Sequence, residues 1–320
     1  MNGYFNIDKP AGMSSAAVVA VIRRLTGEKR VGHAGTLDPD AAGVLPVMIG
    51  KATRLFEYLA DKEKEYTAVV AFGSSTDTQD ASGSVLETGT DYPDSGRVRR
   101  EAEKLQGDIV QVPSMYSAIK VGGKPLYARA RRGETVDVPE RTVHIGRIEL
   151  LGEAPDHGMV IHVVCGRGTY IRTLCHDLGR LCGCPAHMRQ LTRTRSGFFT
   201  LESGISLEEA RALAAEDRLR ERLLPPEAPL GHLFRVDIRP AYAKAVANGA
   251  KLPLNAAACG EIPEHVPLRV FLEDRFWGIQ VRSGQQLEWK ALIAPEHDSL
   301  PGQNDRRELP FKEVERTAEP

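Results

Sequence analysis

Hydrophobic periodicity divides the chain before anything else is considered. Ala16, Val18, Val19, Ile22 and Leu25 recur at helical spacing, with Ser14 and Ser15 just before them and Gly27 just after. That arrangement predicts a capped amphipathic helix with a glycine stop. Residues 66–72 (YTAVVAF) form an unbroken β-branched and aromatic run, the pattern of a buried strand. Val143–Leu151 and Met159–Cys165 predict two more strands. From Thr169 the period lengthens, and Ile171, Leu174, Leu178 and Leu181 return at three and four residues, with Gly183 at the end. This is a helix, and it carries Arg172 in its first turn. Ser206 and Glu209 make a capping-box signature for a further helix. Strands and helices mix without a regular β–α–β rhythm, which predicts an α+β fold and not a doubly wound sheet.

Pro225, Pro226 and Pro229 mark a linker. Short strand-like runs follow at Leu268–Leu272 and Trp277–Val281, split by turn residues, and predict a small β-rich second domain. From Glu296 to Pro320 the chain is polar and charged, with prolines at 301, 310 and 320, the composition of a disordered tail. The expected division is therefore 1–228, 229–295 and 296–320. No internal repeat is present.

Composition narrows the classes. The chain has 320 residues, 42% hydrophobic and 27% charged, enough for two globular domains with real cores. The net charge of -1 means that any nucleic-acid site must be a local basic patch. No apolar run is long enough to span a membrane, and Met1–Asp8 lacks the basic and apolar regions of a signal peptide. Five cysteines, an odd number, suit a reducing compartment better than a disulfide framework, and the expected location is cytoplasmic. Cys175, His176, Cys182, Cys184 and His187 raise the question of zinc. Their spacing is poor for it, since Cys182 and Cys184 are separated by one residue and no second pair stands at a ribbon-like distance. No metal is expected.

Candidate chemistry concentrates in two stretches. Residues 32–43 (GHAGTLDPDAAG) hold three glycines and a proline, which predicts a tightly shaped loop and no regular element. Residues 120–132 (KVGGKPLYARARR) hold five cations, Lys120, Lys124, Arg129, Arg131 and Arg132, and no acid, with Tyr116 and Tyr127 interleaved. Cations among aromatics are what looped RNA calls for. Arg189, Arg193 and Arg195 form a third basic cluster.

At this point five motifs, in order, support a resemblance. GHAGTLDPDAAGVLPV (32–47) resembles the catalytic loop of the TruB family of bacterial tRNA pseudouridine synthases, which modify the T-loop uridine. NIDKPAGMSS (6–15) is similar to that family's N-terminal Lys-Pro motif, and KEYTAVVAFGSSTDTQDASG (64–83) to its tyrosine motif. VPSMYSAIKVGGKPLYARARRG (112–133) resembles its T-loop-gripping insertion, and GRGTYIRTLCHDLG (166–179) its arginine motif. The segment after 230 resembles, less sharply, a PUA-type RNA-binding domain. One such motif is weak and five in order are specific. The resemblance implies a mixed-sheet catalytic domain followed by a PUA-like one. It implies tRNA as partner, no cofactor, no obligate protein partner, and a monomer. It assigns Asp38 as the catalytic aspartate, Tyr66 as the residue that stacks on the target uracil, and Arg172 as the partner of Asp38. His33 would contact the flipped region of the RNA, and Lys64, Asp80 and Tyr170 would take lesser active-site or RNA-contacting places.

These residues suit the reaction. Pseudouridine formation breaks C1′–N1 and rejoins the same uracil through C5, so nothing is oxidised and no group is donated. One carboxylate can act by attack at C1′, by attack at C6, or by removing the 2′ proton. Tyr66 could take the C5 proton or could only stack. The target base must leave its stack, which costs least in a loop. Three other readings compete. A non-catalytic RNA-binding protein with the same fold is opposed by the intact Asp38, Tyr66 and Arg172. A synthase acting within a guide-RNA particle is opposed by the long basic insertion. A hydrolase pairing Asp38 with Asp40 is opposed by their closeness in one loop around Pro39.

Overall fold

The computed structural model describes residues 1–59, 63–117, 119–130, 132–134 and 136–295. Arg131 and the expected tail at 296–320 lie outside the described residues. The chain opens with β1 (Gly3–Lys9), α1 (Ser15–Thr26), β2 (Val31–His33), β3 (Ala42–Ile49), β4 (Lys64–Phe72), β5 (Ser74–Thr76), β6 (Val85–Thr88), α2 (Ser95–Glu103) and β7 (Gly107–Gln111). The basic insertion forms β8 (Lys120–Val121), β9 (Lys124–Pro125) and α3 (Leu126–Ala130). Then come β10 (Arg141–Ala154), β11 (Gly158–Cys165), α4 (Ile171–Leu181), β12 (Ala186–Ser196), β13 (Phe199–Thr200), β14 (Ile205–Ser206) and α5 (Leu207–Ala215). The last part holds β15 (Phe234–Asp237), α6 (Ala243–Ala247), β16 (Leu252–Pro253), β17 (Pro267–Leu272), β18 (Arg275–Ser283) and β19 (Gln286–Leu292).

Local signals act where the sequence places them. Ser14 caps α1 by accepting from the Ala17 amide, and Gly27 ends it at φ 66°. Ser206 accepts from the Glu209 amide and starts α5. Gly183, at φ 66°, follows the end of α4. The loop of residues 32–43 is shorter than its turn-forming residues suggest, because Val31–His33 pairs antiparallel with β3 and Ala42 already belongs to β3.

Among the described residues, ten strands form one sheet in the order β14-β1-β3-β12-β4-β11-β10-β7, with β2 on β3 and β13 on β12. Most pairs are antiparallel, whereas β1–β14 and β3–β12 are parallel, so the sheet is mixed. Strand β3 is apolar on both faces, and β1 carries Tyr4 on one face and Phe5 and Ile7 on the other, because both faces are covered. Phe5, Ile7, Leu45, Val47 and Ile49 pack with α1 and α5. Tyr4, Val44 and Met48 point the other way and share a cluster with Phe271, Phe276, Ile279 and Ala291 of the second sheet. The other half of the large sheet is covered by α2 and α4, where Cys175, Cys182 and Cys184 are simply core. Burial pushes the Cys175 thiol up to about 12, which suits an inert packed group.

The second sheet runs β15-β17-β18-β19-β16 and has its own core around Val236, Leu268, Trp277 and Leu287. The stretch of prolines before it is no loose linker. Tyr4 and Leu224 exchange backbone hydrogen bonds of 2.9 Å, and Pro229 and Leu230 are buried. Composition marks prolines as breaks, but Leu224 on one side of them is paired to β1 and Pro229 on the other is buried. No helix among the described residues is long and apolar enough to cross a membrane.

Candidate active site

The loop between β2 and β3 is held by its backbone, and the groups that hold it come from far away in sequence. Ser15 Oγ accepts from the Leu37 amide and donates to the Leu37 carbonyl, both at 2.9 Å. The fully buried Lys9 donates to the Pro39 carbonyl at 2.9 Å, which also accepts from the Gly12 amide at 2.9 Å. Arg193, 0% exposed, donates from Nη2 to Gly35 O at 3.1 Å, from Nη1 to Thr36 O at 3.4 Å and from Nε to Val44 O at 2.7 Å. Buried carbonyls without such partners would be costly, so Ser15, Lys9 and Arg193 fix the loop's shape from elsewhere in the chain. Gly43 lets β3 approach β12 closely. It sits at φ 99°, and a Cβ there would lie 2.2 Å from Arg193 O.

Asp38 projects from this loop with 45% of its side chain open to solvent. The second residue of α4, Arg172, reaches it with Nη1 at 3.6 Å from Asp38 Oδ2. The same Nη1 is 3.4 Å from Asp80 Oδ2, and Nη2 donates to Tyr116 O at 2.7 Å. Arg172 thus meets Asp38 as expected, but its guanidinium is shared among two carboxylates and a carbonyl and does not grip both oxygens of Asp38. Burial alone would raise the Asp80 carboxyl, but hydrogen bonds from Ser82 and Thr78 and the charge of Arg172 outweigh it and hold the group below the usual range. Asp80 is thus a fixed anion that anchors Arg172. The start of α4 is clamped too: Gln111 accepts from the Tyr170 amide at 3.0 Å and donates to the Tyr170 carbonyl at 3.2 Å. The Arg141 and Arg172 guanidiniums each stand 5.6 Å from the Tyr170 ring centre.

A cleft of about 780 Å³ opens here, lined by His33, Asp38, Asp80, Tyr116 and Arg172 among others. It brings together Asp38, Arg172, Asp80 and His33 of the residues picked from sequence. Burial and the charge of Arg193 lower the His33 pKa, so the ring is neutral near pH 7. Tyr66, on β4, is only 6% exposed and packs in the core cluster with Leu37 and Ala41. Burial raises its phenol despite the nearby Arg193 charge, so it keeps its proton at neutral pH. Lys64 lines a different cleft, on the other side of Gly35.

The basic insertion is less free than its sequence suggests. Lys120 and Lys124 fall on the paired β8 and β9. Arg129 donates to the Val121 carbonyl at 3.1 Å and approaches Glu134 at 3.9 Å, while Arg132 is 3.8 Å from Glu134. An acid just past the run thus neutralises part of it. Sequence reading gave no loop-holding role to Lys9 and Ser15, although both lie in the motif at 6–15, and missed Gln111 and the holding role of Arg193. Leu191 and Arg193 share the inward face of β12, a period-2 signal, but a register shift between Met188 and Gln190 hides it from the strand's start.

Comparison with known proteins bears on this geometry. The family model for the N-terminal domain of TruB family pseudouridylate synthases matches residues 23–171, and the model for the tRNA pseudouridylate synthase B C-terminal domain matches 172–231. Their junction falls within α4, inside the large sheet's half of the fold, so it is no structural boundary. A tRNA pseudouridine synthase B of Bacillus licheniformis is 46% identical over 257 residues, covering 78% of this chain and 83% of the relative. That of Symbiobacterium thermophilum is 48% identical over 252 residues, covering 78% and 82%. Among solved structures, a chain of a Cbf5-Nop10-Gar1 complex aligns with TM-score 0.66 at 30% identity, over 87% of this chain and 78% of the other.

Proposed function

The chain belongs to the TruB family of pseudouridylate synthases, and from that membership we propose how its own residues convert uridine 55 in the T-loop of tRNA to pseudouridine. The observation that carries the reading is Asp38, presented to a cleft by a loop whose carbonyls are held from behind and whose carboxylate faces Arg172. The flipped uridine enters the cleft, and Asp38 acts on the ribose or the base to release C1′–N1. Arg172, pinned by Asp80 and the Tyr116 carbonyl, orients Asp38 and is a positioning residue. Preorganised charge of this kind costs no reorganisation during the reaction. The detached ring turns within the cleft and rejoins through C5; the C5 hydrogen then leaves as a proton to solvent and N1 takes one up, so the isomerisation balances. Tyr66 lies against Leu37 and Ala41 as a phenol, so it supports a stacking or proton-holding part over that of a free phenolate base. Stacking requires the loop to yield a little, since the ring face is covered.

His33, Tyr170 and the insertion cations Lys120, Lys124, Arg129, Arg131 and Arg132 are assigned to RNA contact, with Arg132 the more available of the two described arginines. The second sheet, 229–295, is assigned a PUA-like RNA-binding part. The enzyme works as a cytoplasmic monomer without an obligate partner. The test is tritium release from 5-³H-uridine in a tRNA transcript with the protein as sole addition. Release of about one equivalent from the T-loop position supports the reading, and no release at enzyme excess overturns it.

A further inference from the structure

A second cleft meets the loop of residues 32–43, and none of the chemistry above uses it. Its volume is about 1130 Å³, and its walls include Gly35, Phe56, Glu57, Lys64, Arg167 and Phe198. Ala34 and Gly35 line this cleft while His33 and residues 36–41 line the one at Asp38, so the loop is a partition between the two. The space is ample for a nucleotide.

Two features of the walls point to what enters. Lys64 is half-buried and Arg167 is exposed, and among the described residues neither makes a side-chain hydrogen bond or ion pair. Carboxylates near the start of β4 are already taken, since Glu63 and Glu65 pair with Arg195. Glu57 is the acid on the wall against these two cations. Gly35, at φ 113°, leaves the ammonium approachable, because a Cβ there would lie 3.5 Å from Lys64 Nζ. The second feature is apolar. Phe198 is 52% exposed and is braced edge-on by Phe199 with ring centres 5.4 Å apart, and Phe56 is 48% exposed. Unpaired cations beside open aromatic faces match a phosphate and a base of unpaired RNA.

We propose that this cleft is a second nucleotide subsite for the substrate RNA, in which an unpaired nucleotide neighbouring the target uridine sets a backbone phosphate on Lys64 and Arg167 and its base on Phe198. The proposal rests on the RNA-modifying reading above and adds the place where a flanking nucleotide is held while its neighbour reacts.

The probe is a T-stem-loop RNA, intact or carrying an abasic nucleotide at each loop position in turn, with affinity measured for wild type and Phe198→Ala. At one position flanking the target, loss of the base weakens wild-type binding about fivefold or more. The same loss leaves Phe198→Ala unmoved. Arg167→Ala lowers the log–log salt slope by about 0.7, as expected for one single-strand phosphate contact. Arg167→Lys restores that slope. Both side chains are surface groups, and equal melting temperatures verify the fold. Abasic effects that are the same in wild type and Phe198→Ala, or a salt slope unchanged by Arg167→Ala, overturn the subsite; a cleft serving a protein or small molecule would give that result. The binding cycle decides the subsite whether or not wild type releases tritium from the same RNA. Tritium release with an additive cycle therefore rejects the subsite alone, and absent release rejects the catalytic reading alone.

Discussion

Arg172 divides one guanidinium among Asp38, Asp80 and the Tyr116 carbonyl, and that division sets what its replacement costs. A lysine keeps the charge but is a point donor on a flexible stem, able to serve only part of this set. Arg172→Lys should lower kcat at least tenfold, about 1.4 kcal/mol of barrier. KM should move little, because Arg172 steers the carboxylate and not the RNA backbone. Steady-state kinetics check this, and an unchanged kcat would remove Arg172 from the positioning set. Lys64 gives a pH prediction. Its ammonium is pushed down to about 8, first by burial and then by the charges of Arg193 and Arg167, with the Cys165 thiol opposing. The charged form is the one that attracts phosphate, so RNA affinity should fall as pH rises through about 8. Lys64→Arg stays charged and should flatten the curve; parallel curves for the two proteins would show that Lys64 does not meet RNA. At this scale the sequence marked groups with chemistry of their own, such as Asp38 and Arg172, which the structure sets 3.6 Å apart. Lys9 and Arg193 were not readable, because a cation becomes a structural donor only when burial across distant strands surrounds it with carbonyls.

Helices and strands were legible where a local signal decides them. Ser14 and Gly27 bound α1, and Ser206 starts α5, since caps act over three or four residues. The loop of residues 32–43 was legible as a special turn but not in its extent, because pairing of Val31–His33 with β3 depends on partners at 47–49. The basic insertion read as acid-free, yet the turn after α3 brings Glu134 back towards Arg129 and Arg132. The loop's function depends on the seam between β3 and β12. Gly43→Ala would place a Cβ 2.2 Å from the Arg193 carbonyl on a backbone at φ 99°. Strain and displacement together should cost about 2 kcal/mol or more of stability. Urea unfolding checks the cost, and a change under about 0.5 kcal/mol would show that the seam tolerates separation.

The whole molecule departs most from a reading by composition. Prolines at 225, 226 and 229 suggest two parts joined by a linker, but Tyr4, Val44 and Met48 of the large sheet and Phe271, Phe276 and Ile279 of the second share one buried cluster. Separating them would expose that apolar surface, so calorimetry of the intact chain should show one cooperative transition with equal calorimetric and van't Hoff enthalpies. Two separate transitions, with tritium release surviving the first, would show independent parts. The fold class was legible because the strand and helix periods are strong. The contact between the sheets was not, since residues of β1 and β3 look like an ordinary doubly buried core until their second covering is seen. Catalysis by the assembled molecule is expected to reduce to one carboxylate. Asp38→Asn keeps the side chain's shape and removes its charge and nucleophilicity, while the loop-holding bonds through Lys9, Ser15 and Arg193 use backbone carbonyls and persist. The decisive measurement is tritium release from 5-³H-uridine tRNA by Asp38→Asn, read beside its tRNA affinity. We predict release below about one-thousandth of wild type, with affinity within a few-fold. Release within a few-fold of wild type, from a variant that still binds tRNA, would contradict it.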